Sequence, residues 1–194
     1  MPDLIGGHAD TNHAEQEFSD GIYTETFTCQ RKTIHSKLDF DLIWQRLISE
    51  VGDPSKSKQP QFVEQITGND EDNFKRYTDN VRSAVKERGF MAFTAFNYSW
   101  IGVFPPHTEL RMKKIIIGNP ILAYAVLQHN RCAALSIPLE ILLDEKPECD
   151  GGGCRLTWDL PSSGMCGTDS NKDLLRAAKV IDGKLEALLK EVSR

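Results

Sequence analysis

Residues 115–130 read IIIGNPILAYAVLQHN, an apolar run, a Gly-Asn-Pro corner and a second apolar run that closes on a histidine. A phosphate cradle at a helix start needs several free backbone N–H groups, with repeated glycines to let the backbone approach the ligand. This corner offers one glycine. Pro120 also removes an N–H from the first turn while suiting the first helical position, and Asn119 is a favoured N-cap. The stretch therefore predicts a strand, a capped corner at Gly118-Asn119-Pro120, and a helix over 121–129 that is apolar on most faces and so buried.

Upstream, 22–28 (IYTETFT) alternates β-branched or aromatic with polar residues and reads as a first strand, which RKTIH (31–35) can prolong. From Asp39, apolar residues at Phe40, Ile43, Trp44, Leu47, Ile48 and Val51 mark one face of a helix, ended by Gly52 and Pro54. Residues 53–61 are polar and turn-rich. A second helix is expected behind the acidic residues Asp70, Glu71 and Asp72, with Phe74, Tyr77, Val81, Ala84 and Val85 inward and Gly89 at its end. FMAFTAFNYSWIGVF (90–104) is nearly continuous apolar sequence, suited to a strand buried on both faces or to a strand pair.

Downstream, Ile137, Leu139, Ile141 and Leu143 alternate in one strand, where Pro138 points to an edge or bulge. Cys154, Leu156, Trp158 and Leu160 alternate with Arg155, Thr157 and Asp159, so the two segments form a hairpin around PECDGGG. Leu174, Ala178, Ile181, Leu185, Leu188 and Val192 define a last amphipathic helix, with Ser170 and Asp173 as a capping box. Strands and helices do not alternate regularly. The expected fold is α+β, a compact two-layer sandwich of an antiparallel or mixed sheet with helices packed on it, over 22–194, behind a flexible tail at 1–21.

The 194 residues carry a net charge of −5 and no basic block, which argues against a nucleic-acid partner. No apolar stretch is long enough to span a membrane, and the polar N-terminus lacks a signal-peptide pattern, so a cytoplasmic location is expected. Five cysteines without a secretory signal read as reduced thiols. Cys149 and Cys154 are spaced as C-x4-C, which invites a metal reading, but a zinc site wants a second such pair or a Cys/His set and only Cys166 lies nearby, so neither a metal nor another cofactor is expected.

GFMAF (89–93), NYSW (97–100), KKIIIGNPILAYAVLQHN (113–130), IPLEILL (137–143), GGGCRLTWDLPSS (151–163) and KLEALL (184–189) together resemble the DUF302 family, in particular its fungal-type members. The likeness runs from about Thr24 to the C-terminus. It implies a compact α+β sandwich, often dimeric, in a family of largely undefined activity. Such relatives commonly carry an Asp-His or Asn-His pair where this chain has Asn97-Tyr98, followed here by Trp100.

Among the polar candidates, His107 in a Pro-Pro loop and Tyr98 are the groups that could transfer protons. His129 suits the dipole at a helix end. Arg111 is a further charged candidate. Asp159, His107 and Ser162 or Ser163 could be drawn as a triad, yet the chain has no G-x-S-x-G elbow. Asn97, Trp100, Asn119, Tyr124 and Trp158 would line a pocket with apolar walls and a few orienting polar groups. Two functions follow. One is binding of an apolar or aromatic small molecule, with cofactor-independent isomerase, cyclase or lyase chemistry through Tyr98 or His107. The other is a non-catalytic homodimeric or partner-binding module whose aromatics lie in an interface.

Overall fold

The computed structural model describes residues 16–19, 21–57, 68, 70–106 and 109–194. Its centre is a five-stranded sheet of β3 (Arg31–Ser36), β4 (Met91–Asn97), β5 (Met112–Gly118), β6 (Leu139–Glu145) and β7 (Cys154–Asp159), in spatial order β3-β7-β6-β5-β4. Every neighbouring pair is antiparallel. A separate antiparallel pair joins β1 (Gln16–Ser19), inside the segment expected to be a tail, to β2 (Ile22–Glu25). The segment 22–35 is thus two strands in two sheets, and its second half forms an edge of the main one.

Among the described residues the helices are α1 (Phe40–Val51), α2 (Glu71–Ala84), α3 (Pro120–Leu127), the short α4 (Pro161–Cys166) and α5 (Lys172–Val192). All of these but α2 pack on one face of that sheet, and α2 packs separately, through Val81, against Met91 at the start of β4. In α1, Asp39 caps the start by accepting from Asp41 N at 2.7 Å, and Gly52, at φ +89°, ends it. Phe40, Ile43 and Leu47 of α1, with Leu174, Ile181 and Leu185 of α5, pack on Ile115, Ile117, Ile141, Leu143 and Leu156 of the sheet. Each fully buried Leu or Ile stabilises the fold by about 1.5–3 kcal/mol over an exposed one. The last helix buries the residues its spacing selects, but its cap is Asn171, one residue later than expected, which accepts from Asp173 N and Leu174 N at 2.9 and 3.2 Å.

The Gly-Asn-Pro corner forms as its residues dictate. Asn119 Oδ1 accepts from Ile121 N at 2.9 Å, Pro120 opens α3, and Asn119 Nδ2 reaches back to Gly89 O at 2.9 Å. The helix it starts is not buried as expected. Only Val126 is fully covered, and Tyr124 is 64% exposed, because no described element packs on the outer side of α3. In α2, Thr78 and Val81 are buried, and Tyr77 and Ala84, with Val85 just past the helix end, pack on the Val81–Met91 cluster as the spacing selects, whereas Phe74 is 68% exposed.

The apolar run 90–104 is also resolved differently. Strand β4 stops at Asn97 and a 3₁₀ turn, Ser99–Val103, follows it, so Phe96, Trp100, Ile101, Val103 and Phe104 stand exposed. The run is long because an edge strand and an apolar surface turn are adjacent in sequence; it is not a doubly buried strand. Pro138 precedes β6 through a cis peptide and leaves β6 in the middle of the sheet, not at an edge. The β6–β7 hairpin closes through Gly151, Gly152 and Gly153, all at positive φ. Among the described residues, no helix is long and apolar enough to cross a membrane.

Candidate functional site

Among the described residues, the sheet face away from α1 and α5 is open over β3, β7 and β6 and closes toward Ile116, which is 8% exposed, and strand register sets out its side chains in rows. Thr33, Thr157, Leu142, Lys114 and Phe96 lie side by side across all five strands. His35, Arg155, Asp144 and Met112 form the next row. Tyr98, whose N–H donates to Met112 O at 2.8 Å, extends it past the end of β4. On the other side, Arg31 faces Asp159 and Glu140 faces Ile116. A period of two puts these residues together and their apolar sequence neighbours in the core.

Most charges on this face are paired across strands. Arg31 holds Asp159 through Nε and Nη2 at 2.7 and 3.0 Å, Lys114 Nζ meets Glu140 Oε2 at 3.0 Å, and Arg155 Nε meets Asp144 Oδ2 at 2.9 Å. Thr33 and Thr157 share a hydroxyl hydrogen bond at 3.1 Å. Lys114 is the hub. The Glu140 carboxylate holds its ammonium above the ordinary lysine range against the opposing effect of burial, and the Tyr98 hydroxyl adds to the same effect. Its Nζ also lies 5.5 Å from the Phe96 ring centroid, and the Phe96 and Tyr98 rings are 6.4 Å apart.

Between these groups runs an open groove of about 340 Å³, with Met112, Leu142 and Thr157 as its floor and Tyr98, Lys114, Glu140, Arg31 and Asp159 around it. Apolar floor and polar rim are the usual composition of a small-molecule site, and the volume is at the lower end of the usual range. The backbone builds the position of Tyr98. Asn97 Oδ1 accepts from Ser99 N at 3.0 Å, and Ser99 Oγ accepts from Met112 N at 3.1 Å, so the turn is tied to both β4 and β5.

Of the residues singled out from sequence, Tyr98 and Trp158 border this groove and Asn97 supports it. Trp158 is 4% exposed, however, and its side chain belongs to the core. Trp100 sits on the surface turn and meets Phe104 edge-on at 6.0 Å. Asn119 lies at the other end of the β4–β5 pair, about 20 Å along the strand from Asn97. There it borders a void of about 20 Å³, and Tyr124 is on the outer side of α3. The structure therefore does not gather the seven into one pocket. His107 lies outside the described residues.

The other candidates have structural partners. Arg111 binds Glu145 at 2.6 Å and Asp41 at 2.8 Å and lies 4.7 Å over the Phe40 ring, which ties the start of α1 to the sheet. Asp159 is engaged by Arg31, and Ser163 Oγ accepts from Gln30 N at 3.0 Å while donating to Leu160 O at 2.7 Å, so neither is arranged as part of a triad. His129 is exposed just past α3. Among the described residues, no three His, Cys, Asp or Glu side chains are grouped as a metal ion would require.

Reading from sequence missed Lys114, Glu140, Arg31, Met112 and Leu142. The available signal was their alternation with core residues on adjacent strands, and it becomes a site only once the pairing order is known.

Among the described residues, the architecture is that of a two-layer α+β domain whose second sheet face is largely open. The chain belongs to the family described as Domain of unknown function DUF302, whose model matches residues 67–192. Tyr98, Lys114, Glu140 and Asp159 lie inside the matched segment, whereas Arg31 precedes it. Among solved structures, the chain is similar to an uncharacterized conserved protein DUF302 from Bacillus stearothermophilus, at 14% sequence identity and a TM-score of 0.54, over 84% of this chain and 98% of that one. That likeness concerns the fold. No match is found among curated proteins.

Proposed function

We propose that the protein binds an apolar or aromatic small molecule in the groove on the open sheet face and exchanges a proton with it through Tyr98, without a cofactor. The observation that carries this reading is that Tyr98 and the Lys114 ammonium line the same groove, over an apolar floor of Met112 and Leu142. When the phenol gives up its proton, negative charge develops on its oxygen, and a fixed cation at that point stabilises it. Glu140 keeps Lys114 charged and oriented. Isomerase, cyclase and lyase reactions all contain such a proton transfer. His107 is a second candidate for the complementary proton.

The exposed apolar turn favours a second reading, in which the chain is a dimeric or partner-binding module. Trp100, Val103 and Phe104 form a protruding surface of the kind that second copies cover. The resemblance to fungal-type members and a cytoplasmic location belong to the proposal as well.

Native mass spectrometry of protein purified from its own cells supplies the ligand for the test. Tyr98→Phe should abolish its turnover while leaving its binding within about threefold, since only the hydroxyl is lost, and Lys114→Met should slow turnover. If Tyr98→Phe, Lys114→Met and His107→Ala all turn over the ligand like wild type, the proton-transfer assignment is wrong.

A further inference from the structure

The groove beneath Tyr98 does not end at its charged rim. On the far side of Glu140 and Asp159 lies a second concavity of about 320 Å³, lined by the apolar Leu135, Pro138, Leu139 and Pro161 and by the polar Cys29 and Ser136. Glu140 and Asp159 line both. The two compartments are therefore adjacent lobes that meet at a pair of carboxylates. Each lobe alone is at the lower end of the range for a small-molecule site. Leu135 is 94% exposed at the mouth of the second lobe, where an apolar side chain gains nothing from the fold.

The carboxylates at the junction differ in what they have left to offer. Both Asp159 oxygens are taken by Arg31. Glu140, which lines both lobes, gives Oε2 to Lys114, and among the described residues its Oε1 takes no hydrogen bond. A carboxylate oxygen there is best satisfied by a charge-assisted donor, and a mildly acidic protein attracts cations.

We infer that the ligand is an elongated amine, with its ammonium at Glu140, an aromatic or apolar arm in the groove under Tyr98, and a second apolar arm reaching Leu135 in the adjoining lobe. The inference rests on the binding site proposed above. It narrows the substrate class to molecules with apolar groups on both sides of a basic nitrogen, and it sets the Glu140 carboxylate between that nitrogen and the Lys114 ammonium, with the arm under Tyr98 as the part that exchanges a proton.

Three probes separate the parts of this inference in NMR titrations of the full chain: N-benzylhexylamine, benzylamine and benzyl hexyl ether. N-benzylhexylamine should bind at least about tenfold more tightly than benzylamine, because the second arm buries several methylenes. It should perturb amides of both lobes, at Met112 and Leu142 and also at Leu135 and Gly164. Glu140→Gln should weaken the amine about tenfold and leave the ether within about twofold. Leu135→Ser, at an exposed position that cannot affect folding, should narrow the advantage of the longer amine. Equal binding of the two amines, with shifts confined to Met112 and Leu142, would overturn the two-lobe inference while leaving the groove reading intact. Shifts at neither lobe with any probe would overturn both.

Discussion

Asn119 bridges to Gly89: its Nδ2 donates to the Gly89 carbonyl at 2.9 Å while its Oδ1 caps α3 through Ile121 N at 2.9 Å. One side chain thus serves a helix start and the turn before β4. Asn119→Ala removes the cap, worth about 1 kcal/mol, and leaves the Gly89 carbonyl without its donor, worth about another 1 kcal/mol. Asn119→Ser keeps an N-cap oxygen but cannot reach Gly89, and should recover about half of that loss. Urea denaturation of the two variants measures both contributions: a Ser variant as stable as wild type would mean that the Gly89 contact contributes nothing, and equal losses in the two variants would mean that the cap contributes nothing.

The β6–β7 hairpin depends on Gly153. Its φ is +75°, and a Cβ added there would lie 2.1 Å from Ser36 O. That oxygen belongs to the backbone of edge strand β3, so it cannot swing aside. Gly153→Ala should cost at least about 2 kcal/mol from backbone strain and the enforced separation of β3. Gly183 is a control, since a Cβ there meets nothing within 4 Å and Gly183→Ala lies mid-helix, where it should stabilise by about 0.5–1 kcal/mol. Thermal unfolding of both proteins tests the contrast.

Acid should weaken the link between β3 and α5. Glu186 accepts from Lys190 at 2.6 Å and from Lys32 at 2.8 Å, and these two cations lower its pKa to about 2. Because the folded value is depressed, the stabilisation is complete above the unfolded glutamate value of about 4.3 and fades as pH falls toward 2. The side chains are 32–54% exposed, so the effect is below about 1 kcal/mol after solvent screening. Glu186→Gln should be less stable than wild type at pH 6 and match it near pH 2, by urea denaturation at each pH. A constant difference across that window would exclude the ion pairs as its source.

Some of this structure is legible in the sequence because local chemistry alone decides it. The Asn119-Pro120 corner, the β6–β7 hairpin and the buried stripe of α5 each follow from residue type and spacing, and none needs a distant partner to be recognised. The apolar character of Phe74, Phe96, Trp100 and Tyr124 points to burial, and all four are exposed. Composition reports how apolar a segment is, whereas burial depends on which faces other elements cover. β4 is an edge strand, and among the described residues one face of its sheet is largely open. The groove was hidden for a related reason. Lys114, Glu140 and Arg31 look like ordinary polar-face residues until the order β3-β7-β6-β5-β4 places them around Tyr98.

Thiol reactivity should sort the cysteines by environment. Cys154 is 1% exposed at the start of β7, and burial, with smaller contributions from the Glu145 and Asp39 carboxylates, pushes its thiol up to about 11. The thiolate is the reactive form, so Cys154 is doubly protected, by lack of access and lack of charge. Cys29, Cys132 and Cys149 are exposed. Iodoacetamide at pH 8 should label these three within minutes in the folded protein and reach Cys154 only after urea is added, with Cys166, half-buried and shifted upward by burial, in between. Peptide mass spectrometry over a time course gives the order directly, and labelling of Cys154 at the rate of Cys29 would show that the sheet opens at its β7 end.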